Sequence, residues 1–359
     1  MLRRDFTGRL LASALCVPRL RAQEASRIRL RDVAARHGLL VGSAVSYAQL
    51  ERPEFAGLLA AQASIVVPEN DMKWRRIHPE PDRYDFSRAD ALVEFTTAHG
   101  QKLRGHNLCW HEHNPDWLAR VATKQNAADL LRAHIAAVVG HYAGRIHSWD
   151  VVNEAVAVED GREDGLRSSI WLDSIGPEYL AIAFGAAAAA DPVALLTYND
   201  YNLEQDSPEH ERKREAVLRL LRSLRDKRAP IQALGLQSHL KAGAKASSWT
   251  GLHRFLEQVE GLDLQVFVTE LDVDDRALPA DAAERDREVG ALYRDYLSNV
   301  LQHRSVKAVL TWGLTDRDSW LDHAKPRADG LPQRPLPFDA ELRPKPALGA
   351  MRDAVAGNQ

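Results

Sequence analysis

Cysteine is nearly missing: the 359 residues contain two, Cys16 and Cys109. If the N-terminal segment is removed Cys109 stands alone, so no intrachain disulfide is expected to hold the fold. No apolar run reaches the ~18 residues a membrane-spanning helix needs. Excess charge of one sign is also lacking, since 47 Lys+Arg against 50 Asp+Glu leave a net charge of −3. Nothing in that balance points to nucleic acid or an acidic membrane surface as a partner. There is no Pro/Gly/Ser-rich linker, no repeat of fixed period and no Gly-rich phosphate turn after the first strand candidate. What remains is 45% hydrophobic sequence, enough for a substantial core in a single domain.

The start of the chain stands apart. Arg3 and Arg4 precede Phe6 and a short apolar run over 10–17, with Ala22 shortly after. That order resembles an export signal of the twin-arginine type, so residues 1–25 are expected to be an export signal and 26–355 a single folded domain. The alternative is an amphipathic N-terminal helix of the mature protein.

From residue 30 onward, short β-branched runs alternate with longer segments of helical period. The strand candidates are 39–44, 64–67, 102–106, 146–152, 194–198, 233–237, 264–270 and 308–312. Helical periodicity is expected over 87–99, capped by Ser87, and over 126–142, 178–190, 207–226 and 285–303. Asp191-Pro192 reads as a helix stop. Eight β-α units predict a (β/α)8 TIM barrel, with an open doubly wound sheet as the competing fold.

In such a barrel, chemistry sits where strands end. Two of these apolar runs lead into a glutamate: Trp149-Asp150-Val151-Val152-Asn153-Glu154 and Val266-Phe267-Val268-Thr269-Glu270. A buried strand has no use for a carboxylate in its middle, but its mouth can carry one. The other strand ends bring Glu69, Asn70, Lys73, His106, Trp110, Asn199, Gln237, His239, Asp272, Trp312 and Trp320 to the same rim. Amides, carboxylates and indoles in one ring suit a sugar, and two carboxylates across it suit glycosidic bond cleavage. One must be protonated and the other ionised, and a shared site separates their pKa values. His239 and Asp272 beside Glu270 favour its ionised form, whereas Asn153 beside Glu154 could reach a sugar hydroxyl. Glu154 is therefore assigned as acid/base and Glu270 as nucleophile. Neither retention nor inversion follows from spacing.

Over 41–347 the chain closely resembles glycoside hydrolase family 10, the endo-β-1,4-xylanases. The motifs that carry the resemblance occur in order: Glu69-Asn70-Asp71-Met72-Lys73-Trp74, Arg104-Gly105-His106 with Trp110-His111, and Trp149 to Ala155. They continue with Tyr198-Asn199-Asp200-Tyr201-Asn202, Gln237-Ser238-His239-Leu240, Thr269-Glu270-Leu271-Asp272 and Thr311-Trp312-Gly313. The resemblance implies retaining hydrolysis of β-1,4-xylosyl links in xylan or xylo-oligosaccharides, without a cofactor. It implies that His239 hydrogen-bonds Glu270 and that Asp272 orients His239. It places sugars of the non-reducing side on Glu69, Asn70, Lys73, His106, Trp110, Asn153 and Gln237, with Trp312 and Trp320 capping the central one. A retaining β-1,4-glucanase and a non-catalytic sugar-binding barrel are the alternatives.

Two positions depart from that family: His113 stands where glutamine is usual, and Asn107 where threonine is. Lys325, Arg327 and Arg334 after the last strand are read as solvated charge, with acidic xylan branches as the alternative contact. Trp74, Trp117, Trp149 and Trp171 are expected in the core or in loop packing. Asp150 is expected to be structural and turned away from the side of Glu154, and the arginines of 212–228 to form a solvated helix face. His106, His111, His113 and His239 lack a His-x-x-x-His pair, so no metal site is expected. A monomer is expected.

Overall fold

Apolar β-branched runs bounded by helices leave each strand no partner but a parallel neighbour, and the computed structural model closes that pattern into a ring. It describes residues 29–243 and 248–357; the expected export signal lies outside them. The strands are β1 (Leu40–Val45), β2 (Ile65–Pro68), β3 (Lys102–Cys109), β4 (Ser148–Asn153), β5 (Leu195–Asp200), β6 (Ala233–Leu236), β7 (His239–Lys241), β8 (Gln265–Asp274) and β9 (Val306–Thr311). All pair in parallel, β1 to β6 in sequence; β6 then pairs with β8, β8 with β9, and β9 back with β1. Eight of the nine form the closed barrel. The ninth, β7, pairs only with β8, with His239 opposite Asp272. The strand expected over 233–237 is β6, and beyond the left-handed Ser238, at φ 64, a further short strand, β7, follows it.

The helices cover the outside. Ala127–His141 and Tyr179–Ala190 fall where the periodicity placed them. Pro208–Asp226 is capped by Ser207, whose side chain accepts from the His210 amide. Two starts differ from expectation. Ser87 is the first residue of its helix rather than its cap, and Asp85 Oδ1 accepts from the Ser87 amide at 3.2 Å. The helix expected over 285–303 is Ala282–Val300, because Asp281 accepts from the Glu284 amide at 2.8 Å.

One apolar layer lies between strands and helices and includes Trp74, Trp117, Trp149 and Trp171, all buried as expected. A smaller one, including Ile65, Val67, Phe267 and Leu310, plugs the barrel below Trp312. Above this plug the interior turns polar. Arg104 is fully buried, pairs with Asp150, and donates to Ser148 Oγ at 3.0 Å. Gly105 lets the Trp149 ring lie against β3; a Cβ there would meet that ring at 2.1 Å. Among the described residues no helix is long and apolar enough to cross a membrane.

Candidate active site

The C-terminal ends of the strands open into a cleft of about 480 Å³ lined by Glu69, Asn70, Lys73, His106, Trp110, Asn153, Glu154, Gln237, His239, Glu270, Trp312 and Trp320. Every rim residue named from the sequence lines it except Asp272, buried behind His239, and Asn199, buried beneath the two glutamates. Convergence follows from parallel strands: each delivers its last residues to the same rim.

Glu154 directly follows β4 with a left-handed backbone, φ 55, held by its amide donating to the Asn199 carbonyl at 2.9 Å. Its Oε2 accepts from Trp110 Nε1 at 2.9 Å. Its Oε1 accepts from Gln237 Nε2 at 2.9 Å and from Asn153 Nδ2 at 3.2 Å. Burial raises its pKa, and the charges of Asp200 and Glu270 add to the rise, while the bonds from Gln237 and Trp110 oppose it. The buried carboxyl is poised to keep a proton.

Glu270 is driven the other way. Burial alone would raise it, but the hydrogen bond from His239, the electrostatic influence of the His106 and His239 rings, and the bond from Asn199 together lower it. Asn199 Nδ2 donates to Glu270 Oε1 at 2.7 Å, and His239 Nε2 lies 3.3 Å from Oε2. His239 Nδ1 donates to Asp272 Oδ1 at 2.8 Å, and Trp320 Nε1 donates to Asp272 Oδ2 at 2.7 Å. Burial disfavours charge on His239, but the Asp272 carboxylate outweighs it, aided by Glu270, and the ring is raised to about 10. An imidazolium between two carboxylates is the arrangement that keeps both ionised.

The sequence left Asn199 on the rim without a role. Its Nδ2 also reaches Asn153 Oδ1 at 2.8 Å, and its Oδ1 accepts from Thr269 Oγ1 at 2.7 Å, so one amide ties the two glutamate-bearing strands together. Only glycine fits beneath it, because a Cβ on Gly235 would lie 2.1 Å from Asn199 Oδ1. Arg167 escaped notice altogether: it sits in a loop without period and donates through Nε to the Glu154 carbonyl at 2.8 Å.

On the opposite wall Lys73 Nζ donates to Asn70 Oδ1 at 3.0 Å and lies 5.0 Å from the Trp110 ring and 5.9 Å from the Trp312 ring. Burial lowers Lys73 against the attraction of Glu270 and Glu69; Glu69 is itself raised by burial against Lys73. His106 Nδ1 donates to Asp150 Oδ2 at 3.0 Å. Asp150 therefore does not point away from the site: it lies under the cleft and orients His106. Asn107 is buried with Nδ2 3.4 Å from His106 Nε2, facing His106. His113 lies parallel to Trp110, ring centroids 5.2 Å apart. Burial and the neighbouring Lys73 and Arg75 lower it to about 4, so it is uncharged near neutrality.

Two expectations of solvated charge fail. Arg327 is buried, with Nη2 donating to Asp329 at 2.6 Å and Nη1 to the Asp275 carbonyl at 2.6 Å; Arg334 is paired with Asp286 at 2.7 Å. Lys325 alone of the three lines the cleft, 5.1 Å from the Trp320 ring. Along 212–228 the exception is Arg214, buried against Glu211 at 2.7 Å. Among the described residues no group of three His, Cys, Asp or Glu side chains is placed to hold a metal ion.

A profile described as Glycosyl hydrolase family 10 matches residues 29–354. Endo-1,4-beta-xylanase B of Paenibacillus barcinonensis is 37% identical over 325 residues, 85% of this chain and 92% of that protein. Beta-1,4-xylanase of Dictyoglomus thermophilum is 37% identical over 321 residues, 86% of each. Native xylanase 10B from Thermotoga maritima superimposes with a TM-score of 0.83 at 32% identity, covering 91% of this chain and 98% of that one. Xylanase 10B from Thermotoga petrophila RKU-1 in complex with xylobiose gives the same TM-score and identity, with 97% of that chain covered.

Proposed function

The chain belongs to glycosyl hydrolase family 10, and from that premise we propose that Glu154 is the acid/base and Glu270 the nucleophile of its reaction. The reaction is endo-hydrolysis of β-1,4-xylosidic linkages in xylan with retention at the anomeric carbon. The observation that carries the assignment is the opposite displacement of the two carboxyls, Glu154 up and Glu270 down, across one cleft.

In the first step a Glu270 carboxylate oxygen attacks the anomeric carbon as the bond to the leaving chain breaks, and the Glu154 proton passes to the departing oxygen. In the second, ionised Glu154 takes a proton from water, whose oxygen displaces Glu270 from the same carbon and restores both groups. Asn199 and His239 hold Glu270 on target. Glu69, Asn70, Lys73, His106, Trp110, Asn153 and Gln237 hold the sugars on the non-reducing side. Trp312 and Trp320 roof the central sugar, where their bulk opposes a hydroxymethyl group and favours xylose. Because a polysaccharide does not cross membranes, the arginine pair and apolar run at the N-terminus fit an exported enzyme.

Product analysis on xylan and on soluble cellulose, for the wild type and Glu270→Ala, tests this. Short xylo-oligosaccharides from xylan, absent in the variant, are expected. Products mainly from the glucan would overturn the substrate assignment, and full activity in the variant would overturn the nucleophile.

A further inference from the structure

Behind the wall that carries Lys73 and Trp110 stands a column of rings that never meets the reacting groups. His134, within helix Ala127–His141, is fully buried and lies parallel to Trp74 with ring centroids 3.6 Å apart. Trp74 directly follows Lys73 and stacks on Trp171 at 5.0 Å; Trp171 Nε1 donates to the Trp110 carbonyl at 3.0 Å. The backbone that carries both cleft side chains is therefore tied to one stack. His78, which ends the short helix Trp74–Ile77, is coplanar with His134 within 2° and is covered by Tyr84 at 3.9 Å and Trp117 at 4.8 Å.

The hydrogen bonds determine where the protons are. His78 Nε2 lies 3.1 Å from the Pro81 carbonyl, which can only accept, so that nitrogen carries hydrogen. The Nδ1 of a neutral His78 is then a lone pair, and His134 Nδ1, 3.3 Å away, must donate to it. His134 Nε2 is left as a buried lone pair with no partner among the described residues. The arrangement suits one protonation state. A further proton on His78 Nδ1 would set two N–H groups head to head. On His134 Nε2 it would create a buried donor that nothing accepts.

Of the charged groups on the surrounding elements, Asp82 acts on His78, and only His78 acts on His134. Glu80 and Arg83 pair with each other at the surface, as do Arg75 and Asp116. Burial holds both imidazoles below the ordinary 6.5, against the pull of the Pro81 bond and Asp82 on His78.

We propose that His78 and His134 are positioning residues for the hydrolysis: uncharged and sharing one proton, they seat Trp74 and, through Trp171, Trp110, and a further proton releases that wall. The proposal rests on the functional reading above in that Lys73 and Trp110 face the sugar.

The test follows tryptophan fluorescence and steady-state kinetics on xylohexaose from pH 7.5 to 4 in the full chain and in His134→Phe, which keeps a ring on Trp74 but carries no proton. The wild type is expected to show a reversible fluorescence step below pH 6.5, with KM rising about tenfold across it and kcat changing less. In His134→Phe the step should vanish, with KM within about threefold of the wild type at pH 7.5 and flat with pH. Persistence of the step and the KM rise in the variant would overturn the proposal. Ring ¹³C shifts of labelled wild-type protein test it without a variant. The pair must take up its proton over the same interval in which KM rises, and a mismatch refutes the link. No turnover of xylohexaose at any pH would sink the functional reading, while the fluorescence and ring shifts would still decide the proton step.

Discussion

Asp272→Asn separates the charge behind His239 from the shape of the site. Burial, the largest influence on His239, favours the neutral ring; the Asp272 charge and its 2.8 Å hydrogen bond are the next two and reverse it, lifting the ring from 6.5 to about 10. That rise is a preference for the imidazolium on the order of 5 kcal/mol. With asparagine at 272 the two largest influences opposing burial are gone while the bond and charge of Glu270 remain, so the balance at His239 shifts toward the neutral ring. The asparagine oxygen can also accept from His239 or from Trp320 Nε1, which now share the carboxylate, but not from both. Glu270 then loses a cation 3.3 Å from Oε2. An opposite charge at that range shifts a carboxylate by ~1–3 pH units, so the acid limb of kcat/KM should climb by about that much. Well below both acid limbs the variant should be ~10–1000-fold slower than the wild type. The assay is kcat/KM against pH on an aryl β-xylobioside whose leaving group needs no proton, so that the limb reports Glu270 rather than Glu154. Stability supplies a second check with its own sign. A histidine raised in the folded state stabilises it fully below 6.5, and that contribution is lost as pH rises through about 10. Wild-type Tm should therefore fall between those values, and the variant should be flatter. An acid limb that moves by less than about half a pH unit would refute the chain of support from Asp272 to Glu270.

Gly235→Ala should lower kcat with little change in KM, because its methyl would lie 2.1 Å from Asn199 Oδ1 and push that amide off Glu270. Overpacking there should also cost about 1–3 kcal/mol of stability, read as a lower Tm. Glu154→Ala should abolish xylan hydrolysis but nearly spare the burst of aryl release from an activated xylobioside, since only a poor leaving group needs the proton; loss of the burst would deny Glu154 the acid role. Trp320→Ala should raise the ratio of cellobioside to xylobioside kcat/KM by about tenfold, as a clash of hydroxymethyl size is worth ~1–3 kcal/mol. An unchanged ratio would remove Trp320 from xylose selection.

The sequence by itself determined the barrel and the two glutamates. Strand and helix periods are local, and a glutamate closing a β-branched run is conspicuous in one dimension because a parallel barrel has a single rim for strand ends. Only tertiary structure decided how those carboxyls are held. Asn199 bridges Asn153 and Glu270 from a strand between theirs, and Arg167 reaches the Glu154 carbonyl from an aperiodic loop. Asp150 is two residues from Val152 in sequence, yet it orients His106, because β3 lies beside β4 in the closed ring. Arg327 and Arg334 looked like surface charge until Asp275, Asp329 and Asp286 were found around them. His78 and His134 are 56 residues apart and meet, Nδ1 to Nδ1 at 3.3 Å, only because a helix brings one ring beside the other. Hydrogen bonds and ion pairs between distant segments leave no period in the chain, since their partners are chosen by distance in three dimensions.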